Sequence, residues 1–152
     1  MLFEAAFWRP DEAQPSRAEA LSHPRLARYV EDWGRPSDAG LIALDAEAHP
    51  IGAAWYRFFT SAEPGYGYVA SSVPELALAV SAEHRRQGVG DALLGALLER
   101  ARTEELAGVS LSVEADNPAL ALYRRHGFDT QRADGGFLTM VVRLSSGEMH
   151  GC

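Results

Sequence analysis

The feature that most constrains the fold is a short apolar run that leads through a basic, glycine-containing turn into an amphipathic stretch. The run is Leu-Ala-Leu-Ala-Val (76–80), and the turn is Arg85-Arg86-Gln-Gly88-Val-Gly90. At the start of a helix, unpaired backbone N–H groups and the positive end of the helix dipole point to the same place. Glycine lets the backbone approach a ligand closely and adopt a positive φ. The sequence therefore predicts an anion site here, and phosphate is the anion that we expect.

Two well-known phosphate-binding loops combine a strand, a glycine turn and a helix, and the spacing of this segment can be compared with each. A P-loop needs Gly-Lys-Ser/Thr at the helix start, but Gly90 is followed by Asp-Ala, which excludes it. A dinucleotide-binding fingerprint is a closer rival, because Gly88-x-Gly90 is present and Glu114 ends a later strand about 20 residues on. Against it, Leu93 stands where the third glycine should be, and residues 81–87 separate the strand from the glycines.

Length, composition and charge restrict the class of protein. A chain of 152 residues predicts one domain over 1–144, with a flexible tail at 145–152. The absence of a signal-like start and of a bilayer-length apolar run predicts a cytoplasmic protein with no membrane partner. A net charge of −7 argues against a nucleic-acid partner, so the pair Arg85-Arg86 is a local site. A lone cysteine, Cys152, and histidines without paired spacing predict neither a disulfide nor a metal site.

Hydrophobic periodicity predicts an α+β fold. Helices are expected over 1–8, from near Ser16 or Pro24 to Trp33, from Val89 to about Leu106, and from Asn117-Pro118 to Gly127. Strands are expected at 40–45, 51–59, 76–80, 109–113, 128–133 and 137–144, the last two joined by the hairpin turn Asp-Gly-Gly. Residues 60–72 form a turn-rich loop with aromatic candidates. This order of elements predicts a mixed sheet.

Two segments resemble the GCN5-related N-acetyltransferase (GNAT) family. Arg85-x-x-Gly88-x-Gly90 matches the family's pyrophosphate loop, Arg/Gln-x-x-Gly-x-Gly/Ala. Residues 117–128, Asn-Pro-Ala-Leu-Ala-Leu-Tyr-Arg-Arg-His-Gly-Phe, are similar to its Asn-x-x-Ala-x-x-Leu-Tyr-x-x-x-Gly-Phe region, with the alanine displaced. The resemblance implies direct transfer of acetyl from acetyl-CoA to an amine. It also implies a mixed, mostly antiparallel sheet flanked by helices, whose fourth and fifth strands splay apart.

The resemblance also implies roles for single residues. The fourth strand would pair with the pantetheine amides, the loop amides would hold the pyrophosphate, and an asparagine would contact the pantetheine arm. In chain order, these cofactor-binding residues are Leu78, Ala79, Val80, Arg85, Arg86, Gln87, Gly88, Val89, Gly90 and Asn117. Tyr123 corresponds to the general acid that protonates the CoA thiolate. Glu75 lies where family members often place the general base that takes the amine proton, and the loop at 60–72 would face the acceptor.

Each role has a structural alternative. Glu75 can be a solvated carboxylate at a strand end, Tyr123 can pack its ring on the sheet, and Asn117 can cap a helix. Two other functions stay open, a non-catalytic acyl-CoA-binding or regulatory domain and a dinucleotide-binding oxidoreductase. The acceptor, a small-molecule or peptide amine, is not readable from the sequence.

The chain departs from the family pattern at its start. Family members open with a strand that leads into the first helix, whereas this sequence begins inside what reads as that helix. The family's first strand is therefore predicted to be absent or to lie upstream. Its absence would expose the edge of the strand at 40–45 unless a second chain covers it, as in a homodimer.

Overall fold

The computed structural model describes residues 27–144, and these form a six-stranded sheet with helices against it. The elements are β1 (Ala39–Leu44), β2 (Pro50–Arg57), β3 (Glu75–Val80), a 3-10 turn (Ala82–His84), α1 (Val89–Thr103), β4 (Gly108–Glu114), α2 (Leu120–Arg125), β5 (Asp129–Asp134) and β6 (Phe137–Arg143). All six predicted strands are present. The predicted helix at 1–8, the start of the next one and the tail at 145–152 lie outside the described residues.

The predicted α+β fold with a mixed, mostly antiparallel sheet is confirmed. The strand order is β1-β2-β3-β4-β6-β5, and every neighbouring pair is antiparallel except β3 and β4. The parallel pair is joined by α1, as a parallel connection requires. Its register contains one residue pair, Glu75 with Ser110, after which the strands diverge. This is the expected splay between the two central strands.

The apolar stripe of α1 forms the core against one face of the sheet. Leu94, Leu97 and Ala101 are fully buried. They pack with buried strand residues and with the aromatic rings of the segment that follows β4, including Tyr56, Val109, Leu111, Tyr123, Phe128 and Met140. The helix thereby fixes the position of β3 relative to β4, which sets the width of the splay.

Three helix boundaries differ from the prediction, and at two of them side chains hydrogen-bond backbone groups that the helix would have used. The helix expected to reach Trp33 gives way to turns after Ala27. Its last carbonyls instead accept hydrogen bonds from the Arg57 side chain. The helix expected to reach Leu106 ends at Thr103, where Glu105 adopts a positive φ of 60°.

The third boundary is the start of α2. The prediction placed it at Asn117-Pro118, but α2 begins at Leu120. The side chain of Asn117 accepts a hydrogen bond from the N–H of Ala119 at 2.9 Å, and its carbonyl accepts one from Leu120 at 3.0 Å. Asn117 therefore forms a turn before the helix, which is the local bonding that asparagine favours.

The segment at 27–38 lies across the other face of the sheet, fastened by a buried ion pair. Asp38 accepts two hydrogen bonds from Arg57, at 2.9 and 2.6 Å, and the two side chains are 3% and 1% exposed. Arg57 also stacks over the Trp33 ring at 5.3 Å. Arg57, on β2, also donates to the carbonyl of Arg28 at 3.0 Å. The ion pair therefore holds the neighbouring Tyr29 against the sheet, where its hydroxyl bonds Glu75 at the start of β3.

β1 is an edge strand within residues 27–144, since it pairs with β2 alone. Ile42 and Leu44 on it are more than half exposed. The predicted homodimer is one arrangement that would cover this edge, and it stays a prediction. No helix in the described part of the chain is long and apolar enough to cross a membrane.

Candidate active site

A cavity of about 770 Å³ opens where β3 and β4 diverge. It runs from the start of α1 to the beginning of β3, and α2 forms one of its walls. Ten of the twelve residues predicted from the sequence line it, namely Glu75, Leu78, Ala79, Val80, Arg85, Arg86, Gly88, Gly90, Asn117 and Tyr123. One continuous space thus connects the predicted anion loop with both predicted catalytic side chains.

The loop end of the cavity is built from backbone at the start of α1. Gly88 is the N-cap, with a φ of 84° that a residue with a Cβ rarely adopts, and its carbonyl accepts from the N–H of Ala92 at 3.0 Å. Gly90 follows in the first turn, where an added Cβ would lie 3.4 Å from Leu122. Gly88 is therefore required by its backbone conformation, whereas at Gly90 an added Cβ would make an ordinary van der Waals contact.

Two predicted loop residues do not line the cavity. The Gln87 side chain donates to the carbonyl of Glu83 at 3.1 Å, and Val89 packs against the core cluster. Their predicted role used only backbone amides, and it stays a prediction. Arg85 lines the cavity, and its Nε donates to the carbonyl of Val80 at 3.1 Å, which ties the loop to the end of β3.

The edge of β3 that faces the splay presents alternate backbone groups. The N–H of Ser81 donates to the carbonyl of Ile51 on the β2 side at 2.9 Å. Hydrogen-bonded pairs alternate along an antiparallel ladder, so Ala79 is the next residue to bond β2. Leu78 and Val80 point their N–H and C=O groups the other way, toward the splay. The Val80 carbonyl already accepts from Arg85, so Leu78 and the N–H of Val80 are the groups of the three predicted strand residues that can pair with an extended ligand there.

Tyr123 lies on α2 with its ring in the core and its edge on the cavity. It is 8% exposed and packs edge-to-face on Phe128, with ring centroids 5.8 Å apart. Burial raises the pKa of the Tyr123 hydroxyl above its ordinary value. The group therefore stays protonated at neutral pH and can act as a proton donor. None of the described contacts gives this hydroxyl a hydrogen-bond partner. A hydrogen bond from Tyr123 that would stabilise the fold is therefore not seen among them.

Glu75 is buried at the opposite end of the cavity from the loop. It is 2% exposed, which contradicts the alternative of a solvated strand-end carboxylate. Its Oε2 accepts a hydrogen bond from the Tyr29 hydroxyl, and its Oε1 accepts one from the N–H of Gly67 at 3.0 Å. Hydrogen bonds of this kind favour the ionised carboxylate, the form that can accept a proton.

Three residues at the Glu75 end were not predicted as site residues, namely Tyr29, Gly65 and Gly67. Gly65 and Gly67 were recognised only as turn residues, and Tyr29 only as an apolar residue of a predicted helix. The pattern Gly65-x-Gly67 was the one available signal, because paired glycines can also mark close approach of two backbones. No periodicity in the sequence indicates that Tyr29 meets a carboxylate 46 residues away.

Among residues 27–144, no group of three or more histidine, cysteine, aspartate or glutamate side chains is arranged to hold a metal ion. The polar residues that line the cavity include arginines at the loop end, where Asp91 also lies, and a carboxylate with tyrosine hydroxyls at the other end. Such a set can bind an anionic ligand at one end and exchange protons at the other.

Comparison with known proteins supports the resemblance seen in the motifs. Residues 4–128 match the model of the acetyltransferase (GNAT) family. The chain is 32% identical over 121 residues to a mycothiol acetyltransferase of Arthrobacter sp. (strain FB24), an alignment that covers 79% of this chain and 36% of that protein. The chain therefore spans about a third of the length of the curated relative it matches.

Two solved structures share the fold. The ribosomal-protein-S18-alanine N-acetyltransferase of Escherichia coli superposes with a TM-score of 0.62 at 20% identity, covering 94% of this chain and 88% of that one. The PaiA N-acetyltransferase of Thermoplasma acidophilum, determined in complex with coenzyme A, superposes with a TM-score of 0.57 at 19% identity, covering 70% and 60%. At these identities the likeness shows the fold alone.

Proposed function

The chain belongs to the acetyltransferase (GNAT) family, and on that premise we propose that it transfers the acetyl group of acetyl-CoA directly to an amine. The observation that carries the proposal is the single cavity in the splay, which connects the anion loop of α1 with Glu75 and Tyr123. A continuous space of about 770 Å³ is of the size that ligand sites have.

The loop end of this cavity suits the phosphate-bearing half of acetyl-CoA. The backbone N–H groups at the start of α1 would hold the pyrophosphate, with Arg86 at the rim. The C=O of Leu78 and the N–H of Val80, both on the splay-facing edge of β3, would pair with the pantetheine amides as a further strand does. Asn117, whose side chain is committed to its turn, lines the same passage.

Acetyl-CoA supplies the acetyl group as an activated thioester, and the chain supplies the proton transfers. The Glu75 carboxylate accepts the proton that the ammonium form of the acceptor must lose before its nitrogen has a lone pair. The C–N bond then forms as the C–S bond breaks, and the pair of electrons leaves on sulfur. Tyr123 donates its proton to the thiolate. The second nitrogen proton passes to water, and both side chains return to their starting forms by exchange with water.

Negative charge on the acetyl oxygen needs a donor while the new bond forms. We assign this to a backbone N–H on the splay-facing edge of β3, such as that of Leu78. No covalent intermediate with the protein is required, because the amine can reach the thioester directly.

The sheet argues against the dinucleotide-binding alternative. Dinucleotide folds use an open, mostly parallel sheet, whereas four of the five strand pairs here are antiparallel. The segment from Ser81 to Gln87 also holds the glycines away from the strand end.

A thermal-shift panel tests the proposal. Acetyl-CoA and CoA should each raise the melting temperature, since a ligand at 100 times its Kd stabilises by about 2.7 kcal/mol. NAD and NADP should have no effect. An amine panel with detection of the released thiol should then identify acceptors, and it should include small metabolites and peptide N-termini. Stabilisation by NAD and not by CoA would overturn the proposal, and so would binding of acetyl-CoA without thiol release for every amine class.

A further inference from the structure

We propose that Tyr29 is a positioning residue for Glu75. Its hydroxyl and the N–H of Gly67 together hold the carboxylate in one orientation. The inference rests on the proposed function, since Tyr29 acts only through a Glu75 that takes the proton of the acceptor.

The Tyr29 hydroxyl lies between a donor and an acceptor, which gives its hydrogen bond to Glu75 a direction. The N–H of Tyr66 donates to the Tyr29 oxygen at 3.0 Å, so the hydrogen of that hydroxyl is directed to Glu75 Oε2. The N–H of Gly67 donates to the other carboxylate oxygen. Each oxygen thus has its own donor, and rotation of the carboxylate would break both bonds.

The Tyr29 hydroxyl keeps its proton under working conditions. Burial, the charge of Glu75 and the hydrogen bond to Glu75 all raise the pKa of Tyr29 well above its ordinary value. A neutral hydroxyl beside a carboxylate is a donor, and hydrogen bonding to the charged form of an acid favours that form.

The loop that supplies Gly67 fits only because it lacks side chains at two positions. A Cβ on Gly65 would overlap the Glu75 carboxylate, and a Cβ on Gly67 would lie 2.6 Å from the Leu111 carbonyl carbon. Neither glycine has a positive φ. Close approach is therefore the reason for both glycines, and the loop encloses the carboxylate against β4.

The Tyr29 ring is held independently of its hydroxyl. It packs edge-to-face on Phe59 at 5.2 Å and stacks on Tyr66 at 6.5 Å. The indole N–H of Trp55 donates to its backbone carbonyl at 3.3 Å. Replacement by phenylalanine therefore removes the hydroxyl and leaves the packing in place.

Other polar groups of the described residues lie around Glu75, and their charges also influence the pH–rate profile. Arg57 is its partner across β2, and its guanidinium is bonded to Asp38. Ser110 lies opposite on β4. The segment at 27–38 contributes the hydroxyl of Tyr29, the loop contributes Tyr66, and Glu114 lines the cavity farther along β4.

The test is Tyr29→Phe, measured against Tyr56→Phe as a matched control. The Tyr56 hydroxyl also donates to a carboxylate, that of Glu104, and Tyr56 does not line the cavity. Tyr29→Phe should lower kcat by about 10-fold or more and leave the KM for acetyl-CoA unchanged. The acid limb of its pH–rate profile should move to higher pH, because Glu75 loses a donor that favours the ionised form. Tyr56→Phe should match the wild type in all three quantities.

The same substitution on a Glu75→Gln background separates positioning from a general structural effect. If Tyr29 acts through Glu75, adding Tyr29→Phe to Glu75→Gln lowers kcat no further. An equal loss on both backgrounds, or a Tyr29→Phe enzyme with wild-type kcat and an unmoved acid limb, would overturn the inference while leaving the proposed function intact. Full turnover by Glu75→Gln would instead remove Glu75 as the base, and the role of Tyr29 with it.

Discussion

The two ends of the cavity differ in which parts of the chain form them. The loop end is a contiguous segment, residues 85–90, that offers backbone N–H groups and is largely exposed. The Glu75 end joins side chains and backbone from three separate segments, and both Glu75 and Tyr29 are buried. One end depends on the conformation of a short piece of chain, and the other depends on tertiary packing.

This difference determines what each end can tolerate. Substitutions in the loop change a surface segment with few packing contacts, so we expect them to affect ligand affinity more than stability. At the Glu75 end, a buried carboxylate relies on donors that arrive from the segment at 27–38 and from the loop after β2. Changes there should alter turnover, stability or both, and should leave the loop intact.

The largest expected effect is at the loop end. Gly88→Val should remove measurable acetyl-CoA binding, because a β-branched residue resists the φ of 84° and its side chain lies where the pyrophosphate would bind. The measurement is isothermal titration with acetyl-CoA.

Gly135→Val is the matched control for this change. Gly135 also has a positive φ, 58°, and has open space around it, but it lies in the β5–β6 turn. Both variants should lose similar stability from backbone strain, of about 1–3 kcal/mol, and only Gly88→Val should lose affinity. Wild-type affinity in a folded Gly88→Val protein would show that the loop is not the phosphate site.

The next effect concerns the ion pair that fastens the segment at 27–38. Asp38→Asn leaves the buried Arg57 charge without its partner and should lower the free energy of unfolding by about 3–5 kcal/mol. Glu99→Gln, which breaks an exposed pair with Arg102, should cost less than about 1 kcal/mol. Urea unfolding of the two variants gives the comparison.

This ion pair also predicts a pH dependence. Burial opposes ionisation of Asp38, but the hydrogen bonds from Arg57 and from the N–H groups of Gly34 and Arg35 outweigh it, so the pKa of Asp38 is lowered. Its contribution to stability is therefore present above the unfolded pKa of about 3.9 and is lost as pH falls through the folded value. Asp38→Asn should lack this acid-dependent part, and equal acid sensitivity in the two proteins would contradict the assignment.

The smallest of these effects separates chemistry from packing on α2. Tyr123→Phe keeps the ring against Phe128 and removes a hydroxyl without a partner among the described contacts. Turnover should fall by about 100-fold if proton donation limits the rate, while melting temperature and acetyl-CoA affinity stay unchanged. Unchanged turnover on a substrate for which chemistry is rate-limiting would remove Tyr123 from the catalytic residues.

The same contrast explains what could be read from the sequence. The loop end was predictable because its residues are adjacent, and the strand-loop-helix pattern fixes their geometry locally. The strands were predictable for the same reason, and so was the splay once the family resemblance was known. Glu75 was found through that resemblance, whereas Tyr29 and Gly67 reach it across the fold, through contacts that no local pattern encodes.

The helix ends were mispredicted for a related reason. Arg57 takes the carbonyls that would have continued the helix toward Trp33, and Asn117 bonds the backbone two residues ahead instead of capping α2. In both places a side chain competes with the helix for the same backbone groups. The Arg57 contacts join residues 29 and 26 positions apart, so propensity and spacing do not reveal them. The Asn117 turn is local, and the sequence of Asn117-Pro118 was compatible with either a helix cap or a turn.

Acetyl-CoA affinity and turnover, measured on one preparation of Glu75→Gln, test whether Glu75 takes the proton of the acceptor. The two ends of the cavity are separate in structure, so acetyl-CoA should bind with wild-type affinity. Turnover should fall by about 10²- to 10⁴-fold, the contribution typical of a general base. Wild-type turnover in this variant would contradict the role of Glu75 as the group that takes the acceptor proton. A loss of acetyl-CoA affinity as large as the loss of turnover would contradict the separation of the two ends of the cavity.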